Sequence, residues 1–245
     1  MHGRFVILAA QRTGSYMLAT ALDALPGVCC HGELFRKNDK GVDADSAILG
    51  GIAPEFSDVE YRHRHHKAFL DAVDEATPAQ LTGFKLMLRQ APEVQRSLVD
   101  EGVYRIILLD RPNVLALYSS HLIARSTGVG YMQKGDTAIV STVEFDASDF
   151  RGFWRRYRKK YEEFDAMRQA SARCRMIAVE YLDLLRGDAF RRVLDFLGVE
   201  AGGDLADYIG TQKRNSSEIL QRFSNPDAVT DCLRAAGKLE WCREE

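Results

Sequence analysis

Four short runs of apolar, mostly branched residues, Phe5 to Ala10, Leu81 to Leu88, Tyr104 to Leu109 and Met176 to Val179, are each bounded by polar or glycine-bearing turns. Runs of this length and composition are strands buried on both faces. Stretches of helical period lie between them: Tyr16 to Leu25, halted by Pro26-Gly27, then Ala91 to Val99, Val114 to Arg125, and a long one from about Ser148 to Ala172. Strands alternating with helices give an α/β fold, a parallel sheet flanked by helices, in which ligands sit beyond the carboxyl ends of the strands. With 245 residues, 46% of them hydrophobic, the chain can bury one large core, so a single domain over 1–245 is expected.

The remaining composition narrows the function classes. A formal net charge of -2 provides no global basic field for nucleic acid, so any anion site must be local. No run approaches the roughly 18 apolar residues of a membrane-spanning helix, and the N-terminus lacks the pattern of a secretory signal. Five cysteines, Cys29, Cys30, Cys174, Cys232 and Cys242, form no Cys-x-x-Cys pair, which fits a reducing, cytoplasmic setting. His63, His65 and His66 in "YRHRHHKAF" read as the exposed start of a helix, since their spacing lacks partnered cysteines or carboxylates, and no metal is expected. The long helix carries "RGFWRRYRKKYEEF", with six basic residues from Arg151 to Lys160. Its aromatics Phe153, Trp154, Tyr157, Tyr161 and Phe164 form a buried stripe, and the basic residues a solvated face balanced by Glu162, Glu163 and Asp165. Lys37 to Glu60 and Ser126 to Thr137 lack a period and are expected to wall or cover the pocket of a second substrate.

The first strand runs into the first helix through Gln11-Arg12-Thr13-Gly14-Ser15. A strand that turns through glycine into a helix N-terminus aims unpaired backbone N–H groups at one spot, where the helix dipole adds partial positive charge. Such a joint holds anions. Gly14 permits the tight turn, Ser15 supplies a hydroxyl, and Arg12 adds a planar fork of donors. Taken alone, the stretch is equally an ordinary turn with a surface arginine. The Gly-x-x-x-x-Gly-Lys-Ser/Thr pattern of triphosphate binding is missing its lysine and its spacing, and the Gly-x-Gly-x-x-Gly dinucleotide pattern is missing too. The joint therefore suits a short anionic group.

"AAQRTGSYML" resembles the 5'-phosphosulfate-binding loop of sulfotransferases that use 3'-phosphoadenosine 5'-phosphosulfate, especially the bacterial and carbohydrate branch, whose loop typically reads Pro-Arg-Ser-Gly-Ser/Thr. Gln11 stands where that branch often has proline. "LLDRPNVLALYSSHL" resembles the family's 3'-phosphate segment, with Arg111 ending a strand and Ser119 eight residues later on the next helix. Pro112 suits a first helical position, and eight residues, a little over two turns, return Ser119 to about the face of Arg111. "CCHGELF", "LTGFKLM", "IAVEYLDLL" and "TQKRNSSEILQRFSN" resemble further segments of the same branch. The resemblance touches segments from Phe5 to Asn225.

The resemblance implies a P-loop NTPase-like sulfotransferase core that moves a sulfuryl group from 3'-phosphoadenosine 5'-phosphosulfate to a hydroxyl of a small-molecule or carbohydrate acceptor. Adenosine 3',5'-bisphosphate would be the other product, and no metal is required. It implies Arg12, Thr13, Gly14, Ser15 and Tyr16 on the 5'-phosphosulfate, Arg111 and Ser119 on the 3'-phosphate, and Lys213 and Arg214 as further 3'-phosphate candidates. It makes Glu33 the first choice of base, beside apolar Leu34 and Phe35. His31, two residues away and so expected on the same side of an extended segment, is the rival. A small-molecule kinase and a non-catalytic phosphonucleotide-binding protein are the alternatives.

Overall fold

The computed structural model describes residues 3–36, 51–128, 141–200, 205–209 and 216–244. Five strands, β1 (Gly3–Ala9), β2 (Val28–Glu33), β3 (Leu81–Met87), β4 (Arg105–Asp110) and β5 (Arg175–Glu180), form one parallel sheet in the order β2-β3-β1-β4-β5. The helices are α1 (Ser15–Asp23), α2 (Val59–Arg64), α3 (His66–Ala76), α4 (Pro92–Glu101) and α5 (Val114–Thr127). After them come α6 (Ala147–Gln169), α7 (Tyr181–Leu185), α8 (Asp188–Leu197), α9 (Leu205–Tyr208) and α10 (Pro226–Ala235). All four runs read from the sequence are strands, offset by a residue or two, but only the first three are largely buried: β5 is an edge strand in which Val179 alone is buried.

Alternation along the central strand explains the layering. Phe5, Ile7 and Ala9 pack with Leu18 and Leu22 of α1 and Phe190 and Val193 of α8. Val6 and Leu8 point the other way, toward Phe69 and Val73 of α3 and Val94 and Leu98 of α4. Phe5, Ile7 and Leu8 are wholly buried, each contributing roughly 1.5–3 kcal/mol. A third apolar cluster joins Leu117 and Tyr118 of α5, Phe150 of α6, and Val229 and Leu233 of α10.

The strand order positions the site. From β1 the chain leaves toward β2 at one edge, and from β4 toward β5 at the other, so the turns after these two adjacent strands diverge and open a crevice at their carboxyl ends. Helix α6 fastens this point. The Tyr161 hydroxyl accepts from the Ala10 N–H (3.2 Å) and donates to the Leu109 carbonyl (2.8 Å), and the Tyr157 hydroxyl donates to the Asp110 carboxylate. Burial raises the pKa of both phenols and keeps them as donors. The basic face of α6 is exposed, with ion pairs from Arg158 to Glu162 (2.9 Å) and from Lys159 to Glu163 (3.9 Å).

One histidine of the cluster departs from expectation, while His65 is exposed and His66 opens α3. His63 is buried, its Nδ1 2.8 Å from Glu93 Oε1 and its Nε2 3.2 Å from the Phe35 carbonyl, because α2 lies against the start of α4. It braces the core there instead of opening an exposed helix. The stretch 37–50 of the first irregular segment and 129–137 of the second lie outside the described residues. Of the first, Pro54–Ser57 forms a 3-10 turn leading to α2. Among the described residues, no helix is long and apolar enough to cross a membrane.

Candidate active site

The β1–α1 joint is a tight turn whose shape depends on two left-handed residues, Arg12 (φ 71°) and Gly14 (φ 89°). Glycine adopts this region freely, and arginine is held there at some cost. Gly14 is required for a second reason: a Cβ there would lie 2.6 Å from Tyr181 Cδ2 and 2.8 Å from Cε2, so the ring of Tyr181, at the start of α7, packs directly on the turn. Thr13 is buried and donates its hydroxyl to the Ala10 carbonyl at 2.8 Å, closing the loop from within. Helix α1 begins on Gly14 without a side-chain cap, which leaves the dipole end to the backbone of the turn. Ser15 is buried in the first turn, and Tyr16 beside it receives Lys85 Nζ over its ring at 5.3 Å.

The turn after β4 comes to the same place. Arg111 is buried and donates from Nη1 to the Arg12 carbonyl at 2.9 Å, and its guanidinium stacks over the Tyr181 ring at 4.2 Å. Arg12 Nε donates to Ser120 Oγ at 3.0 Å, so its head leans on α5. Both arginines, the Gly14 turn and Tyr181 thus converge at the ends of β1 and β4. The helix start differs from expectation: the first helical residue of α5 is Val114, not Pro112, and Asn113 caps it, its side chain accepting from the Ala116 N–H at 3.1 Å. Arg111 therefore stands outside the helix, and a two-turn spacing does not align it with Ser119. Ser119 is reached instead by Arg222, whose Nη1 donates to its hydroxyl at 2.9 Å.

Arg222, on the 3-10 turn Ile219–Arg222, lies within the segment "TQKRNSSEILQRFSN" but carries no signal of its own there. It is buried, donating also to the carbonyls of Ser216 (3.0 Å from Nε) and Ala116 (3.4 Å). Its pKa is lowered to about 10, first by burial and then by the charge of Arg111, with Glu244 opposing. The Glu244 carboxylate occupies Arg111 itself, accepting from Nε at 2.7 Å and from Nη2 in a buried two-pronged ion pair. Lys213 and Arg214 lie outside the described residues.

At the other end of the crevice, Glu33 closes β2. Its carboxylate accepts from Gln90 Nε2 at 3.2 Å and lies 3.9 Å from Lys85 Nζ. Lys85 is a buried lysine in the middle of an otherwise apolar strand. That contrast was visible in "LTGFKLM" and is the signal by which it could have been found. The apolar walls expected for Glu33 are elsewhere: Leu34 and Phe35 belong to the core on the α3–α4 side.

The same geometry corrects the expectation for His31. The pairing of β2 with β3 slips between His31 and Glu33, so that His31 stands opposite Phe84 and Glu33 opposite Lys85. Phe84 and Lys85 are neighbours and point to opposite faces, so the irregularity sends the two side chains to opposite sides of the sheet despite their spacing of two. His31 is buried against α3, its Nε2 3.0 Å from the Thr77 hydroxyl, which itself donates to the Val73 carbonyl. It does not share the crevice with Glu33.

No protein-family model matches the sequence, and no curated protein matches it. Solved structures do match. The sulfotransferase domain of the Synechococcus PCC 7002 olefin synthase aligns over 98% of this chain and 94% of its own, with a TM-score of 0.52 and 15% identity. The sulfotransferase domain from the curacin biosynthetic pathway aligns over 94% and 86%, with a TM-score of 0.52 and 14% identity. The chain thus has the α/β fold of these sulfotransferase domains.

Proposed function

We propose that this chain, acting as one domain, is a sulfotransferase that carries the sulfuryl group of 3'-phosphoadenosine 5'-phosphosulfate to a hydroxyl of a small-molecule or carbohydrate acceptor. The observation that carries the reading is the bond from Arg111 to the Arg12 carbonyl, which ties two strand-to-helix turns, each with a buried or partly buried arginine, into one pocket at the switch point of the sheet. Its two ends suit the two phosphates of one nucleotide. The likeness of fold adds support, and a carbohydrate hydroxyl is the first choice of acceptor on the branch the motifs resemble, ahead of lipid or natural-product hydroxyls.

In this reading an acceptor oxygen attacks sulfur in line, the bond between sulfur and the bridging phosphate oxygen breaks, and the acceptor proton passes to a base. Little covalent chemistry falls to the protein, which positions the partners and stabilises charge. Arg12 and the backbone of the Thr13 to Tyr16 turn hold the 5'-phosphate where negative charge collects as it leaves. Glu33 takes the proton. Gln90 and Lys85 fix its two oxygens, and Lys85 brings a positive charge between the carboxylate and the Tyr16 end of the loop. Arg111 and Ser119 take the 3'-phosphate, with Lys213 and Arg214 as further candidates.

The test is calorimetry with adenosine 3',5'-bisphosphate, with and without magnesium, beside ATP. Metal-independent binding of the bisphosphate supports the sulfotransferase. Preference for ATP with magnesium would overturn it in favour of a kinase, and bisphosphate binding without turnover on any acceptor in a labelled-donor screen would leave a binding protein.

A further inference from the structure

The phosphate end of the pocket already contains an anion, and it belongs to the chain. After the 3-10 turn Leu239–Cys242, the backbone runs across the start of α5 as a short strap. Asn113 Nδ2 donates to the carbonyls of Trp241 (3.2 Å) and Arg243 (3.1 Å). The Glu244 N–H donates to the Ser217 carbonyl at 3.0 Å, and Arg243 pairs with Glu218 across an antiparallel bridge. Trp241 sits edge-on against Trp154, ring centroids 4.7 Å apart. These contacts hold the strap by its backbone and leave the Glu244 side chain to reach inward, where it is 1% exposed.

The carboxylate's partners are those of a phosphate. A guanidinium meets carboxylate and phosphate oxygens with the same two-pronged geometry. Arg111 offers that fork, and Arg222 stands close enough for its charge to act on both Arg111 and Glu244. The hydrogen bonds of Arg222 among the described residues go to neutral oxygens: two carbonyls and the Ser119 hydroxyl. Two buried guanidinium charges therefore share one carboxylate charge. Buried charge is costly unless compensated, and a phosphate dianion would match this pair where a carboxylate matches half of it.

We infer that Glu244 is a built-in competitor for the 3'-phosphate subsite: its carboxylate holds Arg111 until the nucleotide's phosphate replaces it, and Arg222 with Ser119 completes the subsite once it has. The inference rests on the nucleotide reading given above. It makes Glu244 the residue that sets nucleotide affinity, because a ligand whose site is occupied most of the time binds more weakly by the fraction of time the site is open.

Glu244→Gln keeps the size and one acceptor oxygen and removes the charge. Calorimetric titration with adenosine 3',5'-bisphosphate is expected to give a Kd about 10-fold tighter, or more, than that of the unaltered protein. Because Glu244→Gln leaves the buried Arg111 without its carboxylate and so costs folding stability, Glu218→Gln serves as a second variant. It loosens the strap at its exposed ion pair, keeps Glu244, and is expected to tighten binding by about 2- to 5-fold. The two tryptophans of the chain, Trp154 and Trp241, report movement of the strap. Their emission should change on saturation with the bisphosphate and not with adenosine 5'-phosphate, which lacks the group that displaces Glu244. Unchanged or weaker bisphosphate binding in both variants would overturn the inference and make Glu244 a permanent buttress of Arg111. No binding to either variant or to the unaltered protein would overturn the nucleotide reading itself, and the inference with it.

Discussion

Gly14→Ala tests the joint on which the site is built. At φ 89° an alanine is in the left-handed region, at a cost of roughly 1–2 kcal/mol. Its Cβ would stand 2.6 and 2.8 Å from two Tyr181 ring carbons, closer than carbon atoms tolerate, so the buried ring must shift, which costs a further 1–3 kcal/mol or so as overpacking. Together these predict a loss of roughly 2–5 kcal/mol, a fall in Tm of about 5–20 °C for a chain of this size, measured by calorimetric or circular-dichroism melting. The two contributions can be separated. With Tyr181→Ala in the background, the steric share disappears and the backbone share stays, so Gly14→Ala should cost about 1–3 kcal/mol less there than in the unaltered protein. Because Tyr181 carries the Arg111 guanidinium at 4.2 Å, the single variant should also bind adenosine 3',5'-bisphosphate more weakly. A melting temperature within a degree or two of the parent would refute the packing of Tyr181 on the turn. Equal cost in both backgrounds would refute the clash while keeping the backbone argument.

Four further expectations follow from the same geometry. Glu33→Gln should leave bisphosphate affinity intact and reduce turnover on the order of 10²- to 10⁴-fold, whereas His31→Ala, on the opposite face of the sheet, should retain turnover; the reverse pattern in a labelled-donor assay would exchange their roles. Lys85→Met removes the cation 3.9 Å from Glu33 and should lower turnover about 5-fold, since a loose pair of this kind is worth about 1 kcal/mol, with nucleotide affinity unaltered by calorimetry. Arg111→Ala leaves the Glu244 carboxylate buried without its cation and should cost about 3–5 kcal/mol in urea unfolding; adding Glu244→Ala should recover part of it, and strict additivity would argue against the pair. His121 has a pKa lowered by burial and by Arg125, Arg12 and Lys160, against Asp149. As pH falls below the usual imidazole value near 6.5, the unfolded chain takes up a proton that the native ring still refuses, so stability drops until the native ring protonates as well. His121→Gln should flatten that drop between pH 7.5 and 5.5, and an unchanged slope would sink the assignment.

The parts of this molecule legible in the sequence are those governed by local rules. Apolar runs of strand length, a Pro-Gly stop after α1 and the glycine of the β1–α1 joint each carry their own signal, and the aromatic stripe of α6 was visible in its spacing. What escaped depends on features of no fixed period. One irregular pairing after His31 sends it to the face opposite Glu33, whereas alternation alone puts both on the same side. Helix α5 starts at Val114, two residues later than Pro112 suggests, which takes Arg111 off the helix face. Arg222 and Glu244 are more than 100 residues from Arg111 and Ser119 in sequence, and they meet only because α5, α6 and α10 bury the third cluster between them. Lys85 is the intermediate case: a charge within an apolar strand is a local anomaly whose purpose appears only with Glu33 across the ladder.

A near-neutral net charge conceals how unevenly the charge is arranged. Around the crevice the cations are inside: Lys85, Arg111 and Arg222 are all buried, on strand β3, the turn after β4 and the turn before α10. Each end contains a carboxylate within reach of them, Glu33 near Lys85 and Glu244 on Arg111, but their burial differs. The Glu33 side chain is 19% exposed and Glu244 only 1%. A carboxylate that must accept a proton from an incoming hydroxyl needs a path to its substrate, and Glu33 has one. A carboxylate sealed against guanidinium groups has no such path, and its charge serves to stabilise those groups until another anion does so. On the proposed reading the two glutamates do different work, and the distinction rests on access rather than on residue type: base chemistry is assigned to the open end of the crevice, and competition for the nucleotide to the closed one.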